Sequence, residues 1–175
     1  MGSSLMQHYN YESGGKNTLV FKPSVDTRSD KVTSRALYTE IETDYIVGQK
    51  EYNSMLPIVL HHMPRVVFVD ESHFLDKQQI EELAIIVDKI GVTVQAFGLM
   101  TNFKGELFEG SKRLVELSDV VERVRSECTE CSNEGIMNAR YIGGKLQTDG
   151  DTVMIGAEEK YKVLCRRCYM KAMQE

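Results

Sequence analysis

Four cysteines, all beyond residue 127, form two Cys-x-x-Cys pairs, Cys128-Thr129-Glu130-Cys131 and Cys165-Arg166-Arg167-Cys168. The short spacing lets both thiolates of a pair face one ion, and four soft sulfurs in a tetrahedron suit Zn2+. A shell filled by four thiolates leaves no position for substrate or water, so the expected site is structural. Two redox dithiols or four free thiols are the alternative, and two matched pairs in one region weigh against them. The 33 residues between the pairs exceed the roughly 15 to 20 of an ordinary ribbon. An inserted loop or hairpin, held at both ends by the metal, is therefore expected.

That insert carries Tyr141-Ile142-Gly143-Gly144, Gly150, Met154-Ile155-Gly156-Ala157 and Tyr161. Glycines allow a backbone to approach a ligand closely. A lid over a ligand and a plain surface β-hairpin both fit this composition.

The second constellation is Asp70-Glu71 after the apolar run Val66-Val67-Phe68-Val69. A buried strand closing on two acids has the form of a Walker B element, in which one carboxylate helps hold Mg2+ and its neighbour orients or deprotonates a nucleophile. The pattern gains weight beside a phosphate loop, Gly-x-x-x-x-Gly-Lys-Ser/Thr. No such run stands in the sequence, and Gly15-Lys16 and Gly144-Lys145 read as turns. His61, His62 and His73 are assigned no chemistry, and Met100 and Met154 read as packing residues.

Positioning these groups requires a sheet. Thr18-Leu19-Val20-Phe21 lacks polar alternation, as a strand covered on both faces does, and closes at Pro23. Residues 24–34 read as a polar loop, and residues 43–60 as a short strand and a helix. Asp76 caps a helix from Lys77 to about Ile90, with Ile80, Leu83, Ala84 and Val87 as its buried stripe and Gly91 as its stop. Val92 to Gly98 follows as a strand, and this alternation implies a parallel sheet with right-handed crossovers. Leu5 to Glu12 reads as a helix stopped by Gly14 and Gly15. Lys112 to Ser118 is expected as a short helix and Val120 to Val124 as a strand. The resulting division is an α/β domain over residues 1–125 and a zinc-binding domain over 126–175.

The chain has 175 residues, with 21 Lys and Arg against 26 Asp and Glu, for a formal charge of -5. That balance lacks the basic footprint of a protein that binds a polyanionic backbone, so polymeric nucleic acid is excluded as the main partner. The apolar runs fall far short of the ~20 residues of a membrane helix, and no basic-then-apolar leader opens the sequence. A soluble, cytoplasmic protein away from membranes is expected.

Taken together, these residues resemble the type II thymidine kinases over nearly the whole chain. Val69-Asp70-Glu71-Ser72-His73-Phe74-Leu75 is similar to the family's Asp-Glu-x-Gln-Phe element, and Phe21-Lys22-Pro23 with Asp26-Thr27-Arg28 to its Phe-Lys-Pro and Asp-x-Arg segment. Gly98-Leu99, Phe103-Lys104-Gly105-Glu106 and Phe108 resemble its Gly-Leu and Phe-Arg-Gly-Glu-Pro-Phe stretch. The cysteine pairs, Ile155-Gly156-Ala157 and Lys160-Tyr161 follow in order.

The resemblance implies a P-loop-kinase-like parallel sheet flanked by helices, followed by a small zinc-ribbon lasso domain. It implies ATP-dependent phosphorylation of the thymidine 5′-hydroxyl with Mg2+, in nucleotide salvage for DNA synthesis, with deoxyuridine as a further candidate substrate. By carry-over, Glu71 is the general base, Asp70 and Asp26 support the metal and its waters, Arg28 faces the phosphates, and Ser3 and Ser4 lie on the phosphate side. Phe74, Leu99, Phe103, Phe108 and Tyr161 enclose the pyrimidine, main-chain groups near Met154, Ile155 and Gly156 bond its edge, and Met1 joins the substrate-binding set. A homotetramer and feedback binding of thymidine triphosphate are implied in the same way.

This sequence departs from the family's pattern in placing His73 for Gln, Lys104 for Arg, Leu107 for Pro and Asn138 for Thr. Met1-Gly2-Ser3-Ser4 stands where the phosphate loop would end, either as its remnant with a segment skipped before Leu5 or as part of an appended tag. Two rival readings are a catalytically silent zinc-ribbon module of the same fold and a nucleotide-regulated protein with another substrate.

Overall fold

The described part of a computed structural model of the chain comprises residues 10–11, 13–15, 17–25, 31–34, 39–151 and 159–174. The chain divides into two units, Met1–Leu99 with Glu109–Ser118, and Met100–Phe108 with Asp119–Glu175.

The first unit contains strands β1 (Thr18–Pro23), β2 (Lys31–Ser34), β3 (Thr39–Glu42) and β4 (Tyr45–Val47), helix α1 (Met55–His62), β5 (Val66–Val69), α2 (Lys77–Ile85), β6 (Thr93–Ala96) and α3 (Glu109–Leu117). Four of the strands form one parallel sheet in the order β4-β1-β5-β6. Its registers pair Phe21 with Tyr45 and with Val69, and Val69 with Ala96.

Side chains alternate across a strand, and here both faces are covered. Leu19, Phe21, Val67 and Val69 pack with Met55, Val59, Leu75, Ile80, Leu83 and Ile86, while Val20, Val66 and Phe68 pack with Tyr11 and Phe97. This explains why β1 and β5 read as unbroken apolar runs. Burying each Val or Phe contributes about 1.5–3 kcal/mol, so the strand that ends in the acid pair is among the best anchored.

Helix α2 begins at a capping box. Asp76 Oδ1 accepts from the backbone N–H groups of Gln78 and Gln79 at 2.9 and 3.0 Å, and Gln79 Oε1 accepts from Asp76 N at 3.1 Å. The buried Gln79 amide also donates to the carbonyls of Gly48 and Glu51. The helix runs on as a π turn, Ile86–Ile90, and stops at Gly91, whose φ of 75° is left-handed. The helical stretch matches the expected span, with its last turn widened.

Three expectations need correction or placement. Within the polar stretch 24–34, Lys31–Ser34 is a strand, paired antiparallel with β3. Backbone pairing sets such a ribbon, so composition does not reveal it. Val120 to Val124 forms no strand, and Val120 is 73% exposed, because no strand among the described residues pairs with it. Of the expected N-terminal helix, residues 10, 11 and 13 are helical, and the rest, with the Ser4 to Leu5 junction, lies outside the described residues.

The second unit opens with a tight turn over residues 101–107. Thr101 and Leu107 form an isolated bridge, and Asn102 Oδ1 accepts from the N–H groups of Lys104 and Glu106 at 2.9 and 3.1 Å. The unit continues through β7 (Ser126–Glu127), β8 (Glu134–Gly135), β9 (Met137–Ile142), β10 (Lys145–Leu146), β11 (Glu159–Leu164) and helix α4 (Arg166–Ala172). Strands β10-β9-β11 form an antiparallel sheet, so the insert between the cysteine pairs is built on a hairpin frame.

Candidate functional site

In the first unit the acid pair leaves the sheet where β5 ends. Asp70 N still donates to Phe21 O of β1 at 3.0 Å, but Glu71 turns left-handed, with φ 47° and ψ 34°. A non-glycine residue held there stores on the order of 1–3 kcal/mol of strain, which is characteristic of functional positions. The chain then enters a 3-10 turn, Ser72–Phe74. Ser72 fastens that turn to β6 by donating from both its N–H and its hydroxyl to Phe97 O, each at 2.9 Å.

Two glycines let other segments close on this turn. A Cβ at Gly98 would lie 2.9 Å from His73 Nδ1, and one at Gly110 would meet the backbone carbonyls of Leu75 and Ser72. Asp70, Glu71 and His73 are all buried. His73 Nδ1 lies 3.5 Å from Glu71 Oε2 and accepts from Leu99 N at 3.2 Å. The half-buried Phe74 packs against the His73 ring, centroids 4.1 Å apart. Leu99 presents an exposed side chain, and its carbonyl accepts from Ser111 Oγ at 2.6 Å. Lys22, one residue past the Phe21–Val69 register pair, is buried at the same edge. Of the expected residues, this unit gathers Asp70, Glu71, Phe74 and Leu99, and it adds Lys22 and His73.

The second unit holds Phe103, Phe108, Tyr161 and the cysteines. Phe103 is buried, with the guanidinium carbon of Arg140 3.6 Å from its ring centroid. Arg140, 1% exposed, also donates to Asp151 O at 2.7 Å and Asp149 O at 3.4 Å. The Phe103 carbonyl accepts from the Tyr169 hydroxyl at 2.7 Å, and Asn138 Nδ2 donates to Thr101 O at 3.0 Å. The Gly150 N–H and then the Lys104 ammonium, at 3.3 Å, hold Asp149 below the usual carboxylate range. Phe108 is half-buried, with its N–H directed to Met100 O. Tyr161 is exposed on β11 opposite Arg140. Sequence reasoning passed over Arg140 and Tyr169; the one available signal was an Arg in an otherwise packed strand.

Met1, Ser3, Ser4, Asp26, Arg28, Met154, Ile155 and Gly156 lie outside the described residues.

The four cysteines converge. Their sulfurs all lie within 4.8 Å of one another, with Cys131 Sγ 3.7 Å from Cys165 Sγ and 3.6 Å from Cys168 Sγ. A disulfide needs about 2.0 Å, whereas a tetrahedron of ~2.3 Å Zn–S bonds has edges near 3.8 Å. The donor set therefore fits a single metal ion such as zinc. Burial opposes ionisation of Cys128, yet the N–H groups of Cys165, Glu130 and Cys131, with the Cys131 thiol, bring it down to about 6. Hydrogen bonding to the Cys165 and Cys131 thiols, then burial, pushes Cys168 up to about 12. Without metal, the cluster thus shares protons unevenly. Cys128 and Cys165 also belong to the unit's core, beside Ala139, Leu164 and Tyr169.

A parallel α/β sheet with acids at its carboxyl edge, and a separate antiparallel unit built around four cysteines, define an α/β protein with a metal-binding appendage. The thymidine kinase family profile matches residues 2–169, and the chain belongs to that family. The thymidine kinase of Streptococcus gordonii is 38% identical over 171 residues, covering 93% of this chain and 85% of that protein. The thymidine kinase of Lactococcus lactis subsp. lactis is 36% identical over 169 residues, covering 93% and 86%, and that of Streptococcus pyogenes serotype M3 is 35% identical over 162 residues, covering 92% and 85%. Among the described residues no helix is long and apolar enough to cross a membrane.

Proposed function

We propose that the chain transfers the γ-phosphoryl group of ATP to the 5′-hydroxyl of thymidine, in nucleotide salvage. Family membership supports the reaction, and the observation that carries the chemistry is the buried acid pair at the end of β5, with Glu71 turned off the sheet by its left-handed backbone. The 5′-oxygen attacks the γ-phosphorus, the bond to the bridging β–γ oxygen breaks, ADP leaves, and the hydroxyl proton passes to the Glu71 carboxylate. Asp70, with Asp26, would support the Mg2+ that accompanies ATP and its waters, an ion that would neutralise charge on the phosphates. Arg28, Ser3 and Ser4 serve the phosphate side.

By the resemblance, Phe74, Leu99, Phe103, Phe108 and Tyr161, with Met1 and the backbone of Met154, Ile155 and Gly156, are the residues assigned to nucleoside binding. A flat base with few polar edges suits large apolar walls and a small number of backbone hydrogen bonds. Zn2+ on Cys128, Cys131, Cys165 and Cys168 is structural. The protein works in the cytoplasm as a homo-oligomer, a tetramer by resemblance, and thymidine triphosphate, whose base and phosphates resemble both substrates, is its feedback ligand.

The experiment is phosphoryl transfer from labelled ATP to thymidine, with Glu71→Gln as control. Removing a general base typically costs about 10²–10⁴-fold, with thymidine binding retained. A wild-type chain that binds thymidine without phosphorylating it would be a silent module and would overturn the proposal.

A further inference from the structure

His73 stands where the resembling family usually has Gln, and nothing above gives it a task. It lies buried between Glu71 and the backbone of Leu99. Leu99 N is 3.2 Å from Nδ1. A backbone amide nitrogen can only donate, so Nδ1 must accept. Neither the imidazolium nor the tautomer protonated at Nδ1 can do so, which leaves the neutral ring with its proton on Nε2.

Two consequences follow. With its one Nδ1 lone pair taken by the Leu99 N–H, the ring has no proton on the atom nearest Glu71 Oε2, which at 3.5 Å lies beyond the usual 2.7–3.2 Å of a hydrogen bond to nitrogen. Nδ1 therefore gives that carboxylate no proton. In addition, the Leu99 backbone is held on both sides of its Cα, its N–H by His73 and its carbonyl by Ser111 Oγ at 2.6 Å.

A separate observation shows that the neighbouring backbone is built around this ring. A Cβ at Gly98 would sit 2.9 Å from His73 Nδ1, 3.0 Å from His73 N and 3.1 Å from Ser72 Oγ, so a side chain there would displace the imidazole. Phe74 covers the ring at 4.1 Å between centroids.

We propose that His73 is a positioning residue: through Nδ1 as acceptor it ties the Leu99 backbone to the left-handed turn that carries Glu71, setting the distance between base and nucleoside wall. The part that concerns catalysis rests on the reading of Glu71 as general base.

The test begins with long-range proton–nitrogen NMR of the full chain at neutral pH. The expected spectrum shows His73 protonated at Nε2 alone, with Nδ1 shifted as a hydrogen-bonded acceptor. An imidazolium, or a proton on Nδ1, overturns the proposal. His73→Asn keeps an acceptor near the Nδ1 position and should hold kcat and the KM for thymidine within about threefold, whereas His73→Leu should worsen kcat/KM by about 10- to 100-fold, as misplacement by an ångström does. Unchanged constants in His73→Leu overturn it, and so does an equal loss in both variants. Glu71→Gln separates the two readings. Full turnover in that variant refutes the base assignment, while a raised thymidine KM in His73→Leu still supports the tie to Leu99.

Discussion

The guanidinium of Arg140 lies over the ring of Phe103, its central carbon 3.6 Å from the centroid, and the same group donates to the carbonyl of Asp151. One buried cation thus joins the turn at 101–107 to the outgoing end of the hairpin insert. A desolvated cation–π contact is worth ~2 kcal/mol.

Arg140→Lys keeps the charge but loses the guanidinium over the ring and the fork of donors. It should destabilise by about 2 kcal/mol, lowering the Tm by ~4–8 °C, as read by differential scanning calorimetry. An unchanged Tm would remove this contact from the account.

Gly110 and Gly91 make a matched pair. At Gly91 an added Cβ meets nothing within 4 Å, and only the left-handed φ opposes it, at about 1–2 kcal/mol. At Gly110 the added carbon runs into the carbonyls of Leu75, Ser72 and His73, which belong to the turn below Glu71. Gly91→Ala should therefore lower the urea midpoint and leave kcat alone, whereas Gly110→Ala should lower both. Equal kcat values in the two variants would contradict that difference.

The cysteine cluster should bind one zinc per chain, read by elemental analysis. Thiolates are the ligands, so uptake releases protons, and affinity must fall as pH falls and the thiols reprotonate. Cys168, pushed up to about 12 without metal, holds its proton at neutral pH and yields it on binding. Binding to such sites is worth roughly 10–16 kcal/mol in small zinc domains, so chelation should cost the β9–β11 pairing, seen as lost amide protection. Retained protection would show that the unit folds on its hydrophobic contacts alone.

Asp76→Ala removes the one oxygen, Oδ1, that accepts both N–H bonds of the α2 cap. A loss of about 1 kcal/mol, or ~2–4 °C in Tm, with normal kcat is expected. Gln79→Leu should cost more, because it also strips the carbonyls of Gly48 and Glu51 of a buried donor.

The elements legible in the sequence were those whose signal is local. Val66–Val69 was plain because a strand buried on both faces cannot alternate, and α2 was bounded by its own Asp76 and Gly91. The cysteine pairs declared themselves by spacing. What stayed hidden depends on partners distant in the chain. Lys31–Ser34 is a strand through its pairing with β3, and Val120 to Val124 has valines but no partner strand among the described residues. At the site, Asp70-Glu71 could be read, but the left-handed turn at Glu71 and the seat of His73 against Leu99 are tertiary outcomes. Arg140 gave no local sign that it would stack on Phe103.

The bond from the Tyr169 hydroxyl to the Phe103 carbonyl spans 66 residues, and this has a consequence for the nascent chain. A ribosome adding ~5–20 residues per second makes the Phe103 turn several seconds before its partner tyrosine exists. Cys165 and Cys168, needed to complete the metal cage, also come late. The turn that holds Phe103 is thus sealed only after Tyr169 and the second cysteine pair have been made, so this aromatic segment must wait, unclosed, for a partner 66 residues further along the chain.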